Sequence, residues 1–94
     1  MRVLVTGACG VLGAATVAAI AARGHRVRGF DRPGKAATRI ARTLPPGTEM
    51  VWGDVRDAAA VAAAVAGQDA VVHLAAVLPP VTEQAPALAR TRKG

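Results

Sequence analysis

Apolar and polar positions divide the start of the chain into a short β-branched run and a longer alanine-rich stretch. Residues 2–6 form a mostly apolar run that ends at a glycine, which is typical of a parallel strand buried on both faces. From Gly10 to Arg23 apolar residues recur at roughly helical spacing, and Gly24 follows as a C-terminal stop signal. The pattern predicts a strand followed directly by a helix.

The same alternation continues along the rest of the chain. Three further apolar or alternating runs are predicted to be strands, and they cover residues 25–30, 49–52 and 69–74. Three segments are predicted to be helical, and they cover residues 35–44, 58–66 after an N-cap at Asp57, and 82–88. Strands that alternate with helices imply right-handed crossovers, so we expect an α/β fold with a doubly wound parallel sheet of about four strands.

Three glycines stand where the first strand gives way to the first helix. Gly7 allows a tight turn out of the strand, and Gly10 lets the backbone approach a diphosphate without an intervening Cβ. Gly13 lets the helix pack closely on the sheet. The unpaired amides and the positive dipole end of the helix would then face the phosphates, so this turn is the candidate anion site.

The segment Thr6-Gly7-Ala8-Cys9-Gly10-Val11-Leu12-Gly13 resembles the cofactor fingerprint of the short-chain dehydrogenase/reductase superfamily. The likeness is to its extended type, the NAD-dependent epimerases and dehydratases, in which Thr-Gly-Ala-x-Gly-Phe-Ile-Gly is usual. Val11 and Leu12 depart mildly from that pattern. Three more matches follow in the family's order, namely Asp31, residues 53–55 and residues 69–76, and the likeness extends to about Leu88.

The resemblance implies a Rossmann-type sheet and assigns roles to further residues. Asp31 would bind the adenosine ribose hydroxyls, with Arg32 beside it. The other implied contacts are Asp54 and Val55 at the adenine edge, and Leu74, Ala75 and Ala76 along the path to the nicotinamide ribose. Residues 1–94 would then be the N-terminal part of an NAD(P)-binding domain whose substrate-binding part is absent.

Asp31 bears on the choice between NAD and NADP. A carboxylate accepts hydrogen bonds from two ribose hydroxyls but repels a 2′-phosphate, which favours NAD. Arg32, Lys35 and Arg39 are close in sequence and can neutralise that repulsion, so NADP stays open as an alternative.

The formal net charge of +6 raises the possibility of a nucleic-acid ligand. Seven of the twelve basic residues lie between Arg23 and Arg42, however, and the chain has one Trp, one Phe and no Tyr to stack on bases. A local basic rim fits one phosphorylated small molecule, so we predict no nucleic-acid partner. The apolar run that reaches Ala22 is too short and too interrupted to span a membrane, so we predict no membrane partner either. A single cysteine, Cys9, and two histidines favour a cytoplasmic setting without a disulfide or a metal site.

Three side chains invite a structural interpretation. Cys9 is expected to be a small residue in a crowded turn. His73 is expected to be a hydrogen-bonded core histidine, and Trp52 a core residue at the end of a strand.

The Tyr-x-x-x-Lys pair that the resembling enzymes use for proton transfer has no counterpart, because the sequence contains neither tyrosine nor serine. We therefore predict no catalytic residue in this chain and expect it to be inactive alone. The resemblance implies the N-terminal part of an oxidoreductase, epimerase or dehydratase, with nucleotide sugars among the substrates of that family. Only the full-length parent would bind the small-molecule substrate. The alternative is a non-catalytic regulatory or sensor module that binds a dinucleotide. The sequence makes no prediction of oligomeric state.

Overall fold

The computed structural model of the chain describes residues 1–75. Its four strands are β1 (Arg2–Thr6), β2 (Arg26–Asp31), β3 (Glu49–Trp52) and β4 (Ala70–His73). Its three helices are α1 (Val11–Ala22), α2 (Lys35–Ala41) and α3 (Ala58–Val65). The expected α/β alternation is confirmed.

All three strand pairings are parallel, and the order across the sheet is β3-β2-β1-β4. The chain steps outward from β1 to β2 and β3, and α3 then carries it back across the sheet to pair β4 with the other side of β1. The order therefore reverses at β1, and the carboxyl ends of β1 and β4 lie side by side. In open α/β sheets a ligand crevice forms at such a point.

Both faces of β1 are covered by apolar side chains, which explains its continuous hydrophobic run. On one face Val3 and Val5 pack with Val17 of α1. On the other face Leu4 packs with Phe30 and with Ala64 of α3. Since Leu4, Val5 and Val17 are fully buried, β1 is the rigid centre from which the glycine turn departs.

The helix predicted over residues 35–44 is shorter in the structure. It ends at Ala41, because the next amides bond three residues back: Thr43 N donates to Ile40 O and Leu44 N to Ala41 O. Such tight bonds are usual in the last turn of a helix, and Pro45 disfavours helical geometry at the residue before it. The sequence interpretation counted this last, tighter turn as part of the helix.

Two predictions of burial were wrong. Trp52 is 39% exposed, because β3 is an outer strand of the described sheet. His73 is hydrogen-bonded as expected but lies exposed on β4, so it is not a core residue. The N-cap prediction is confirmed, since the Asp57 carboxylate accepts hydrogen bonds from the amides of Ala59 and Ala60.

Within residues 1–75 no helix has the length and apolar character that crossing a membrane would require. The helix predicted over residues 82–88 and the candidate site residue Ala76 lie outside the described residues.

Candidate functional site

The turn that leaves β1 is built around Gly7. Its φ of +72° lies in the left-handed region, which side chains with a Cβ rarely adopt. Its amide donates to Phe30 O on β2 at 2.8 Å, and a Cβ placed on it would stand only 2.9 Å from Ala75 N after β4. The turn is thus fixed between its two neighbouring strands, and glycine is required there.

Gly13 lies in the first turn of α1 and is buried against the same loop. A Cβ on Gly13 would overlap the carbonyl oxygen of Gly7, and it would also come within 2.9 Å of the Cα of Ala8. Glycine is therefore what lets α1 approach the end of β1 closely, as the sequence predicted.

Gly10 differs from its two companions. Its φ of −79° suits any residue, it is exposed, and the nearest described atom to an added Cβ is Gly7 O at 3.4 Å. That distance is a contact the loop can accommodate with little movement. The fold itself therefore does not require glycine at position 10, and the open space above it is available to another molecule.

The first amides of α1 point into that same space. Gly10 caps the helix without any side-chain hydrogen bond. Among residues 1–75 the amides of Val11, Leu12 and Gly13 have no hydrogen-bond acceptor. The side chains of Val11 and Leu12 are 95% and 65% exposed, so the terminus is uncovered. Unpaired amides at the positive end of a helix dipole form a site for an anion.

Asp31, at the end of β2, ties the glycine turn to the sheet. One carboxylate oxygen accepts a hydrogen bond from Cys9 N at 2.8 Å, and the other accepts one from Arg32 N at 2.8 Å. An ionised carboxylate offers about four lone-pair positions, so roughly two remain for a ligand. The half-buried Asp31 can therefore accept hydrogen bonds from two hydroxyl groups while holding the turn in place.

Next to Asp31 lies a cluster of charges centred on Asp54. Arg56 holds both oxygens of the Asp54 carboxylate through its side chain, at 2.7 Å for the shortest bond, and its amide donates to the same group at 2.9 Å. Arg32 approaches Asp54 more loosely, at 3.8 Å. The hydrogen bonds from Arg56, with the charge of Arg32 as a lesser cause, keep the pKa of Asp54 well below its usual range. Asp54 is thus anionic and largely occupied by its arginine neighbours.

On the other side of the turn, Leu74 and Ala75 follow β4 and press their backbone against Gly7. The amides of both residues donate to the Thr6 hydroxyl, at 3.0 Å and 3.2 Å. Val55 lies on the opposite flank, packed against the Leu4–Phe30 cluster. The structure thus brings the predicted site residues from Gly7 to Ala75 to the carboxyl edge of one sheet.

Cys9 lies inside the turn and is partly buried, in keeping with a small residue at a crowded position. Burial raises the pKa of its thiol, and the nearby charge of Asp31 raises it further. Within residues 1–75 no three His, Cys, Asp or Glu side chains come together as metal ligands would.

The opposite edge of the sheet carries a cavity of about 570 Å³, lined by residues that include Arg2, His25 and Glu49. It lies at the amino ends of the strands, far from the glycine turn. The cavity therefore does not belong to the candidate site, which lies at the carboxyl edge of the sheet.

Sequence reasoning missed two residues of the site. Thr6 is the buried polar residue of the described core, and Arg56 supplies most of the hydrogen bonds to Asp54. Thr6 could have been found as a polar residue on the last position of a buried strand, directly before the turn. Arg56 carries no such signal, because an arginine in a loop usually points into solvent.

Comparison with known proteins gives consistent relatives. The family model described as the NAD dependent epimerase/dehydratase family matches residues 3–89. A 3 beta-hydroxysteroid dehydrogenase/Delta 5-->4-isomerase from Mycobacterium tuberculosis is 44% identical over 79 residues, which cover 82% of this chain and 20% of that protein. A 2-alkyl-3-oxoalkanoate reductase from Stenotrophomonas maltophilia is 40% identical over 73 residues, covering 78% of this chain and 21% of that protein.

Solved structures match the fold as well. A short-chain dehydrogenase/reductase superfamily protein from Agrobacterium tumefaciens with bound NAD is 36% identical with a TM-score of 0.67, over 89% of this chain and 23% of that one. A UDP-glucose-4-epimerase from Stenotrophomonas maltophila with bound NAD and formylated UDP-arabinopyranose is 30% identical with a TM-score of 0.70. The match covers 95% of this chain and 28% of that one. The chain thus spans about a fifth to a quarter of the length of these relatives.

Proposed function

The chain belongs to the NAD dependent epimerase/dehydratase family, and on that premise we propose that residues 1–94 are the N-terminal part of a domain that binds a nicotinamide dinucleotide. The observation that carries the proposal is Gly10. The fold leaves its Cβ position open, beside amides that have no acceptor among the described residues. A diphosphate supplies the anionic oxygens that such amides bind.

In this proposal the cofactor lies along the carboxyl edge of the sheet. The diphosphate contacts the first turn of α1 at Gly10, Val11, Leu12 and Gly13, beyond the tight turn at Gly7. The two free acceptor positions of Asp31 take the adenosine ribose hydroxyls. The other end of the molecule passes Leu74, Ala75 and Ala76 on its way to the nicotinamide ribose, and the bound nicotinamide would supply hydride transfer.

The adenine ring would lie on the side of Asp54 and Val55. Since Arg56 already bonds both oxygens of Asp54, an adenine amino group would have to share that carboxylate with Arg56. Arg32 is 70% exposed and is attracted to Asp54 at 3.8 Å, so its guanidinium is free to move over the ring plane. We therefore assign adenine contacts mainly to Val55 and Arg32, with Asp54 holding the two arginines in place.

We further propose that NAD is preferred to NADP. A 2′-phosphate would lie beside the Asp31 carboxylate, and the two negative charges would repel each other. Calorimetric titration of the chain with NAD and NADP in parallel tests the preference. We expect NAD to bind more tightly than NADP. Asp31→Asn is expected to weaken NAD binding by about tenfold and to reduce the difference in affinity between NAD and NADP. Tighter binding of NADP by the unaltered chain would contradict the assignment.

For the whole protein we propose an oxidoreductase function with a small-molecule substrate. The support is that a dehydrogenase and a reductase are among the relatives at 40% identity or more. Because the described residues carry the glycine turn but no tyrosine, we place the proton-transfer group of the whole protein outside them. Assaying the longer polypeptide with NAD against hydroxysteroids and UDP-sugars would test this, and absence of any NAD reduction would count against it.

A further inference from the structure

Thr6, at the end of β1, is the meeting point of three hydrogen bonds. Its hydroxyl oxygen lies 2.7 Å from Nδ1 of His73, 3.0 Å from Leu74 N and 3.2 Å from Ala75 N. The residue is buried, with 4% of its surface exposed. Buried hydroxyl groups are rarely left with unused hydrogen-bonding capacity, so all three contacts have to be made with a consistent set of protons.

When the hydroxyl takes part in all three contacts, only one arrangement of the protons is possible. A hydroxyl group has one hydrogen to donate and two lone pairs that accept. Backbone amides only donate, so Leu74 N and Ala75 N take both lone pairs of the Thr6 oxygen. The single Thr6 hydrogen must then go to Nδ1 of His73, which has to carry a bare lone pair. Neutral His73 consequently holds its proton on Nε2.

The arrangement matters because of what the two amides position. Ala75 N is the described atom that comes closest to a Cβ built on Gly7, at 2.9 Å, so the chain after β4 forms one wall of the glycine turn. Leu74 N has a second acceptor, Thr6 O at 3.2 Å, whereas Ala75 N has no acceptor other than Thr6 within the described residues. The Thr6 hydroxyl is thus what holds Ala75 in place.

We propose that Thr6 and His73 form a positioning pair, in which His73 in its Nε2–H form orients the Thr6 hydroxyl and the hydroxyl fixes the chain after β4 against the glycine turn. Neither residue touches the cofactor in the proposed site. The effect of the pair on cofactor binding rests on the proposed function, whereas the proton arrangement can be tested independently of it.

Nitrogen-15 NMR of the histidine side chains in the full chain tests the proton arrangement directly. At a pH where His73 is neutral, we expect the chemical shifts to show a bare Nδ1 and a protonated Nε2. A predominant Nδ1–H form would overturn the proposal, because Nδ1 and two amides cannot all donate to one oxygen with two lone pairs.

Hydrogen exchange of the Ala75 amide tests the positioning. Thr6→Val keeps the shape but removes the hydroxyl, and we expect Ala75 to exchange about five- to tenfold faster while Val5 and Val27 keep their protection. Thr6→Ser should restore slow exchange, and His73→Asn, whose side-chain oxygen can accept in place of Nδ1, should retain it. His73→Phe offers no acceptor and should accelerate exchange.

Two further results separate this proposal from the proposed function. If NAD binds, Thr6→Val should weaken it by about tenfold and Thr6→Ser should restore it. If the unaltered chain does not bind NAD, the proposed function fails while the Ala75 exchange still decides about the pair.

Unchanged Ala75 exchange in Thr6→Val, or acceleration in Thr6→Ser equal to that in Thr6→Val, would overturn the positioning role. If Thr6→Val does not fold, the proposal is decided by the tautomer of His73 and by Ala75 exchange in Thr6→Ser and His73→Asn.

Discussion

The two sides of the glycine turn differ in what determines their residues. On the inner side, which comprises Thr6, Gly7 and Gly13, protein atoms stand where a different side chain would go. On the outer side, which comprises Gly10, Val11 and Leu12, the space is open and the two apolar side chains are largely exposed. The same short motif therefore contains residues that the fold needs and residues that the fold does not explain.

The difference separates two reasons for a glycine. Gly7 and Gly13 are accounted for by a left-handed φ and by close packing of α1 on β1. Gly10 has an ordinary φ and room for a Cβ, so packing among the described residues does not account for its lack of a side chain. The diphosphate that we propose at this site would account for it. Substitutions on the two sides should accordingly separate stability from binding.

The largest effect is expected at Gly13. In Gly13→Ala the new Cβ meets the Gly7 carbonyl, and α1 has to move away from β1. Overpacking of this kind costs about 3 kcal/mol of unfolding free energy, which urea denaturation would measure. A variant as stable as the unaltered chain would show that the inner side is not packed as described.

Gly10→Ala should give the opposite pattern. We expect NAD to bind about tenfold to a hundredfold more weakly, because the Cβ enters the space assigned to the diphosphate. The free energy of unfolding should change by less than about 1 kcal/mol, since the backbone at this position suits alanine and no side-chain cap is lost. Calorimetry and denaturation on the same preparation measure both quantities. If Gly10→Ala lost stability but kept its affinity for NAD, the assignment of Gly10 to binding would be contradicted.

Asp57→Ala provides a matched control away from both sides. Removing the N-cap of α3 should cost about 1 kcal/mol of unfolding free energy, because two amides lose their acceptor. NAD affinity should remain within about twofold of that of the unaltered chain, as α3 contributes no residue to the proposed site. If binding fell in step with stability, the weaker binding of Gly10→Ala could no longer be assigned to a steric cause.

The smallest effect concerns Cys9, which lies between the two sides. Its raised pKa means that little thiolate forms near pH 8, so alkylation by iodoacetamide should be slow. Asp31→Asn removes the second of the two causes and should speed the reaction by less than about threefold. Slower alkylation in that variant would contradict the placement of the Asp31 charge near the thiol.

Much of this architecture could be predicted because the determinants are local. The bounds of β1 and β3 follow from apolar runs that end at turn residues, and the Asp57 cap follows from its place before an alanine-rich helix. The glycine turn could be placed because its three glycines follow a strand and begin a helix. Each of these signals lies within about ten residues of the element that it predicts.

The rest depends on contacts between distant parts of the chain. Trp52 looked like a core residue because its own segment is apolar, but its exposure depends on the position of β3 within the sheet. The bond between Thr6 and His73 joins residues that are 67 positions apart, and it requires the register of β1 with β4. No local pattern carries that information.

The most direct test of the central assignment is an NMR titration of the nitrogen-15-labelled chain with NAD. The amides of Gly10, Val11, Leu12 and Gly13 should shift the most, and those of Arg26 and Gly47 at the opposite edge should not move. Shifts confined to that opposite edge, or no shifts at millimolar NAD in a folded chain, would contradict the account.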